Sequence, residues 1–404
     1  MESMENIIVS VDFGDIHSDV GELVSSQGKI YFRYYPGFIQ SGIELSPFKL
    51  PLSMELYSAP GDPFDGLFGL FNDTLPDGWG RLLLDRTLIS KGISLDSVTP
   101  MERLAFVGVN GMGALKYRPA IETGKQMVET DLDRLASEMK KVMEGLDTDL
   151  LDALYNMGGS SGGARPKVFV AYHAGTGHVS QEIDPLPEGF EHWIIKFPSP
   201  SDPVDIANIE FAYFKMALAS GIEMVECRLF NSQSGRVYFG TKRFDRNKNS
   251  RNHMHSASGL MHDNYRHSTM DYGHLMDCAF RLEKHVKAYE KIFRLACFNV
   301  FAHNRDDHSK NFSFLMNKKR EWRFAPAYDL TFSYSSHGHH STMVAGESLS
   351  PGRKQLLELA ENFGVARPDE IMEQVRETIA NWRAYAKEAG VSSASRDRID
   401  KVLN

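Results

Sequence analysis

The chain of 404 residues carries 45 lysines and arginines against 53 aspartates and glutamates, a formal net charge of −8, with 42% hydrophobic and 11% aromatic residues. That composition excludes a disordered chain, and its acidic balance argues against a broad basic face for direct nucleic-acid contact, leaving association with DNA through a partner. The length exceeds what one apolar core usually serves, so two lobes or domains are expected.

The first third reads mostly as strand, then mixed. "NIIVSVDFGDI" and "KIYFRYYPGF" are β-rich segments of a small meander. In "LFGLFNDTLPDGWGRLLLDRTLISKG", Pro76 and Gly78 punctuate the start of an apolar helix, and "MERLAFVGVNGMGALKYRP" reads as a Gly-broken hairpin. Residues 128–156 are acidic and amphipathic, with Leu132, Leu135, Met139 and Val142 at helical spacing. A Gly/Ser loop, "GGSSGGARPK", then runs into a strand. "EHWIIKFPSPSD" is a second strand, ending on Lys196. A helix follows over "DIANIEFAYFKMALASGI", with Asp205 as N-cap, and "ECRLFNSQSGRVYFGTKRFDR" reads as a hairpin. From about residue 270 the pattern is largely helical.

Cys227, Cys278 and Cys297 are far apart and form no CxxC pair, as reduced core thiols would. No basic-then-apolar leader opens the chain, and no run reaches the about 18 apolar residues that span a bilayer; a cytoplasmic protein off the membrane is expected. His253, His255, His262 and His267 form one histidine group and His337, His339 and His340 another, and neither has zinc-site spacing.

The chemistry concentrates in "HNRDDHSKNFSFL". Asp306 followed five residues later by Asn311 has the spacing of a kinase catalytic loop, in which an Asp takes the substrate hydroxyl proton and an Asn holds a divalent ion. Asp329 in "AYDL" follows one short strand pair later, where a metal-binding Asp is expected. Lys310 is placed to neutralise charge at the transferring phosphate, and His308 to brace the loop by hydrogen bonds. Upstream, Gly158, Gly159, Ser160, Ser161, Gly162 and Gly163 form a loop, read as lying between two strands, whose amides can approach phosphate oxygens. Lys196 can clamp the phosphates if the carboxylate of Glu210 holds it. The bland alternatives are a flexible connector for the Gly/Ser loop and an Asx-turn surface loop around Asp306.

With these residues in hand, the chain resembles the HipA family of bacterial serine/threonine-protein kinases, the toxin halves of toxin–antitoxin pairs. The family signature N-x-D-x-H-x-K-N is present as Asn304, Asp306, His308, Lys310 and Asn311, with the later metal-binding aspartate at Asp329. The lysine ending the family's phosphate loop matches Lys167, its strand lysine Lys196, and its hinge "KRFDR", with Lys242 followed by Arg243 and Phe244, the last two meeting adenine largely through backbone. The resemblance implies an α+β, bilobal protein-kinase-like fold: a β-rich N-terminal subdomain over 1–125, a nucleotide-binding lobe with Gly-rich loop and hinge over 126–245, and a mostly helical lobe over 246–404. It implies ATP and Mg²⁺, with Asn311 and Asp329 as metal ligands and Ser161, Gly162 and Gly163 in the phosphate loop. It also implies autophosphorylation at Ser160, with Ser161 as the alternative. Its implied partners are a protein substrate such as an aminoacyl-tRNA synthetase, whose modification stalls translation, and a helix-turn-helix antitoxin through which DNA is bound. Two competing readings are a nucleotide-binding corepressor that bridges antitoxin on DNA and a kinase for a small molecule or lipid.

Overall fold

The computed structural model describes residues 4–121, 131–335 and 338–404. Successive strand residues face opposite sides of a sheet, and β1 (Asn6–Asp12) accordingly buries Ile7, Val9 and Val11. It pairs antiparallel with β2 (His17–Ser26) and β5 (Leu115–Arg118), while β3 (Lys29–Tyr34) and β4 (Tyr57–Ser58) continue the sheet in the order β4-β3-β2-β1-β5. Helices α1 (Pro36–Ser41), α2 (Gly69–Asn72), α3 (Gly78–Ser90) and α4 (Pro100–Val107) lie between its strands. The hairpin expected over 101–119 is not formed. Its first half is α4, because Pro100 fits a first helical turn and Thr99 with Glu102 makes a capping box; only Leu115–Arg118 is strand.

The amphipathic run expected over 128–156 is two helices, α5 (Leu132–Met143) and α6 (Leu151–Gly158), and its first residues lie outside those described. The second sheet combines β6 (Lys167–His173), β7 (His178–Ser180), β8 (Glu191–Lys196), β9 (Cys227–Asn231) and β10 (Val237–Lys242) in the order β7-β6-β8-β10-β9. Its core joins Trp193, Ile195 and Val168 to Leu135 and Leu154, and equally to Trp79, Leu83 and Leu84 of α3. An apolar core therefore runs across the boundary expected at residues 125/126, which itself lies outside the described residues. Helix α7 (Ile206–Ala219) packs against β9 and β10. Asp205 precedes it but does not cap it: its carboxylate accepts from Ser392 N–H and Ser395 Oγ–H instead, tying the helix to the chain's last segment.

After the small hairpin of β11 (Arg246–Asn247) and β12 (Ser250–Arg251), a three-stranded sheet of β13 (His253–Ser256), β14 (Ser313–Met316) and β15 (Trp322–Phe324) meets the helices. These are α8 (Ala257–Met261), α9 (Tyr272–Glu283), α10 (Lys287–Phe301), α11 (Arg353–Phe363), α12 (Pro368–Ala380), α13 (Trp382–Glu388) and α14 (Ser393–Leu403). One large apolar core holds them to α7, with Tyr213, Phe293, Phe298 and Trp382 fully buried.

Polar contacts fasten the N-terminal region to this helical part. Asp73 accepts from the Ser256 amide and hydroxyl, both at 2.6 Å, and from His255 Nδ1, while His255 Nε2 meets Ser46 Oγ at 3.0 Å. His253, fully buried, donates from Nε2 to the Leu45 carbonyl at 2.8 Å, and its Nδ1 has no partner among the described residues. Burial, reinforced by His255, holds the His253 imidazole down to about 3. An unfolded histidine protonates below about pH 6.5, so between that value and the folded one the unfolded chain binds the extra proton. Stability is then expected to fall as pH falls, by about 1.4 kcal/mol per pH unit from this group. Urea midpoints at about pH 7 and about pH 4.5 check it: His253→Gln should flatten the difference.

Candidate active site

Between the second sheet and the helical part lies a cavity of about 560 Å³. Its wall includes Ser160, Ser161, Gly162, Gly163, Lys167, Lys196, Glu210, Lys242, Arg243, Phe244, Asp306, His308, Lys310, Asn311 and Asp329, whereas Asn304 of the signature and Gly158 and Gly159 of the Gly-rich loop do not line it.

Strand register creates the cationic floor. Lys167 and Lys196 are paired residues on β6 and β8, so their side chains share a face. Glu210, on the inward face of α7, accepts from Lys196 Nζ at 3.0 Å and pairs with Arg165, which also reaches Asp202 at 3.1 Å. Lys196 also meets Asp329. Burial alone lowers a lysine's pKa, but the carboxylates of Asp329 and Glu210 hold Lys196 well above its ordinary range. For Asp329 burial pushes upward and is outweighed by Lys196 and Lys167, so its carboxyl stays far below the usual range. Lys167 is the contrary case: burial, with the like charge of Lys196, lowers it, and its Nζ donates to the Gly162 carbonyl at 2.5 Å. Asp329 has φ of 54°, a left-handed backbone that costs of order 1 kcal/mol outside glycine, strain of a kind that clusters at functional sites.

The catalytic-type loop leaves α10 and is anchored by the second of its two aspartates. Asp307 is buried and accepts from Tyr272 Oη at 3.0 Å, from His340 Nδ1 at 3.0 Å and from Ser341 N–H at 2.8 Å. Asn304 Nδ2 donates to Asn299 Oδ1 at 2.9 Å. With Asp307 held inside, Asp306 faces the cavity with its side chain 60% exposed. Asn311, on the cavity wall, donates from Nδ2 to the Asp306 carbonyl at 2.7 Å, which leaves its amide oxygen free of that bond. One expectation changes. The His308 side chain does not brace the loop by hydrogen bonds: among the described residues Nδ1 is buried without a partner, Nε2 is 3.8 Å from Asp306 Oδ1, and the ring packs against Tyr265. Lys310 lies on the cavity wall, its Nζ 2.7 Å from Asp77 of the N-terminal region.

The Gly-rich loop joins α6 to β6, so it lies between a helix and a strand and not between two strands. Its shape is set by contact with α3. Gly78 has φ of 44°, and a Cβ there would lie 2.5 Å from the Gly163 carbonyl, so only glycine fits. Asp77 accepts the Gly163 N–H. Ser161 is buried, donating to the Gly158 carbonyl at 2.6 Å, whereas Ser160 donates to the Asn110 carbonyl at 2.7 Å from an accessible position. At the hinge, Lys242 pairs with Glu191. Arg243 does not offer its N–H to a base, because that group donates to the His192 carbonyl at 2.9 Å. Its guanidinium is instead part of a buried cluster in which Asp245 accepts from Arg243, Arg246 and the Gly113 N–H.

Three participants carry no motif signal: Asp77 in "LPDGWG", Arg165 and Asp307. Asp77 lies more than two hundred residues from Lys310, beyond any local spacing rule. The histidine groups build no metal site among the described residues, and His337 lies outside them. No described helix is long and apolar enough to cross a membrane.

A five-stranded lobe, a hinge and a helical lobe closing on a Lys–Glu–Asp cleft define a mixed α+β, kinase-like fold. Residues 159–383 match the HipA-like C-terminal domain and residues 15–118 the HipA N-terminal domain. The chain belongs to the HipA family and is a HipA-like protein serine/threonine kinase. Its fold is similar to that of HipA from the Shewanella oneidensis MR-1 toxin–antitoxin system, solved with HipB and operator DNA, at 18% identity over 98% of this chain and 95% of that one, with a TM-score of 0.68. The Helicobacter pylori proinflammatory kinase CtkA is 13% identical over 54% of this chain and 83% of its own, with a TM-score of 0.35. No curated protein sequence matches the chain.

Proposed function

We propose that the chain transfers the γ-phosphoryl group of ATP, with Mg²⁺, to a serine or threonine hydroxyl of a protein, and acts as the toxin of a toxin–antitoxin pair. The observation that carries this reading is the convergence of Lys196, held by Glu210, with Asp329 and the exposed Asp306 on one cavity. The donor set fits the metal: the Asp329 carboxylate and the Asn311 amide oxygen, both on the cavity wall, are hard oxygen ligands of the kind Mg²⁺ takes. Bound ATP with its metal supplies the transferable phosphoryl group and compensates its charge. The chain's own residues do the rest. Lys196, oriented by Glu210, neutralises phosphate oxygens, and Lys167 with the amides of Gly162 and Gly163 lines their cradle. Lys310 offsets charge near the transferred group. The Asp306 carboxylate takes the proton of the attacking hydroxyl as its oxygen bonds to phosphorus and the bond from phosphorus to the departing oxygen breaks.

The nucleotide base is assigned to the hinge of Lys242, Arg243 and Phe244, where the Phe244 ring lies tilted beside Tyr328, their ring centres 5.2 Å apart. Ser160 is the proposed autophosphorylation site, supported by its accessibility beside the buried Ser161. Ser160→Ala is expected to abolish self-labelling while transfer to other proteins continues; intact-mass measurement after incubation with ATP checks it. On family resemblance the substrate is proposed to be an aminoacyl-tRNA synthetase and the partner a helix-turn-helix antitoxin. The net charge of −8 supports DNA contact through that partner, and the setting is the cytoplasm. The three-unit division at 1–125, 126–245 and 246–404 is part of the same reading.

The direct test incubates the purified chain with γ-labelled ATP, Mg²⁺ and cell lysate. Label on a protein band supports the reading. Label on a small solute points to a small-molecule kinase, and nucleotide binding without transfer points to a corepressor.

A further inference from the structure

We infer that Asp77 is a positioning residue for phosphoryl transfer, a latch from the N-terminal region that ties the Gly-rich loop to the catalytic loop. This rests on the kinase reading above. Asp77 occupies the N-cap position of α3, where a carboxylate ordinarily accepts from first-turn amides, yet it makes no such bond. One of its oxygens accepts the Gly163 N–H, and the other lies 2.7 Å from Lys310 Nζ. A single carboxylate thus joins two loops on the cavity wall that are far apart in sequence.

The surrounding backbone makes the latch specific. Trp79 N–H donates to the Gly163 carbonyl at 2.9 Å, so α3 grips the Gly-rich loop by donor and acceptor together. A Cβ on Gly162 would lie 3.2 Å from Asp77 Oδ1, so the loop approaches this carboxylate closely. The side chains of Asp77 and Lys310 are only 14% and 15% exposed, which keeps their attraction from being screened by salt. Burial pushes the Asp77 carboxyl upward, but Lys310 and the Gly163 amide outweigh it and keep it ionised. Lys310 is steadied on its other side by the Tyr265 ring, 4.8 Å from Nζ to ring centre. Loss of the carboxylate leaves a buried ammonium without its nearest counter-charge and an amide of the phosphate loop without an acceptor. The N-terminal region is therefore part of the working site and not an appendage to it.

In the full chain, Asp77→Ala is expected to lower kcat about tenfold and raise KM for ATP about fivefold. Faster amide hydrogen exchange should be confined to residues 159–165 and 306–311. Asp77→Glu, which keeps the charge, should recover part of the lost kcat. Adding Asp77→Ala to Lys310→Ala should cost less than about twofold further in kcat, because the two residues act as one unit. Fully multiplicative losses, or activity that merely tracks a lowered melting temperature with unchanged exchange in the Gly-rich loop, would overturn the assignment. If the unaltered chain transfers no phosphate, the kinase reading fails separately. Hydrogen exchange over 159–165 still decides the latch in that case: unchanged exchange in Asp77→Ala sinks it.

Discussion

Asp306→Asn is expected to lower kcat for phosphoryl transfer by about 10³-fold while the affinity for ATP changes by less than about twofold. The amide keeps the size and most of the hydrogen bonding of the carboxylate but cannot accept a proton, so the hydroxyl loses its base. Folding should be unaffected. The side chain is largely exposed, with His308 Nε2 3.8 Å from its carboxylate. The loop's shape depends on Asp307, with its four donors Tyr272, His340, Ser341 and Thr342, and on the Asp306 carbonyl, which the substitution leaves in place. Single-turnover labelling together with nucleotide titration separates the two quantities. Normal labelling by this variant would remove Asp306 from the role assigned to it.

Glu210→Ala should harm both stability and activity. Its carboxylate is 5% exposed and holds two cations, Lys196 and Arg165, that are themselves mostly buried. Removing one partner from a buried charge cluster typically costs about 3–5 kcal/mol. Asp202 and Asp329 still face the two cations, so a loss of about 3 kcal/mol is the expected result. Lys196 would then be held by Asp329 alone, which draws both side chains away from phosphate and metal. A drop of about 10²-fold or more in kcat/KM follows, larger than the fraction of unfolded chain can explain. Glu210→Gln keeps an acceptor for one cation and should fall between. Urea midpoints and kcat/KM measured on the same preparations check both parts; an unchanged kcat/KM would show that Lys196 needs no orientation by Glu210.

These residues divide by the range of the signal that betrays them. Asp306, Asn311 and Asp329 lie close together in sequence, and phosphoryl transfer requires their types at short, fixed spacing. Lys196 and Glu210 were legible as a strand lysine followed by a helix carboxylate that could hold it, but that this carboxylate faces inward was not. Even so, the choice of Asp306 over its neighbour Asp307 rested on spacing, and burial alone explains it: one residue is the anchor and the other faces the cleft. Helix limits were less legible. The run over 101–119 carried glycines that suit a turn, yet the Thr99–Glu102 capping box and burial of Met101, Leu104 and Ala105 favoured a helix.

Local chemistry in the chain was sufficient to mark an acidic, folded, kinase-like protein and the side chains proposed here for phosphate and metal binding, because periodicity and motif spacing act over a few residues. The partners of those side chains came from elsewhere. Asp77 against Lys310 and Gly163, Arg165 against Glu210, His253 against Leu45 and Asp245 between two arginines and Gly113 are mostly long-range pairings. Such contacts follow from packing the sheets and their helices around separate apolar cores, which brings distant segments together for reasons of shape and burial that no short stretch of sequence encodes.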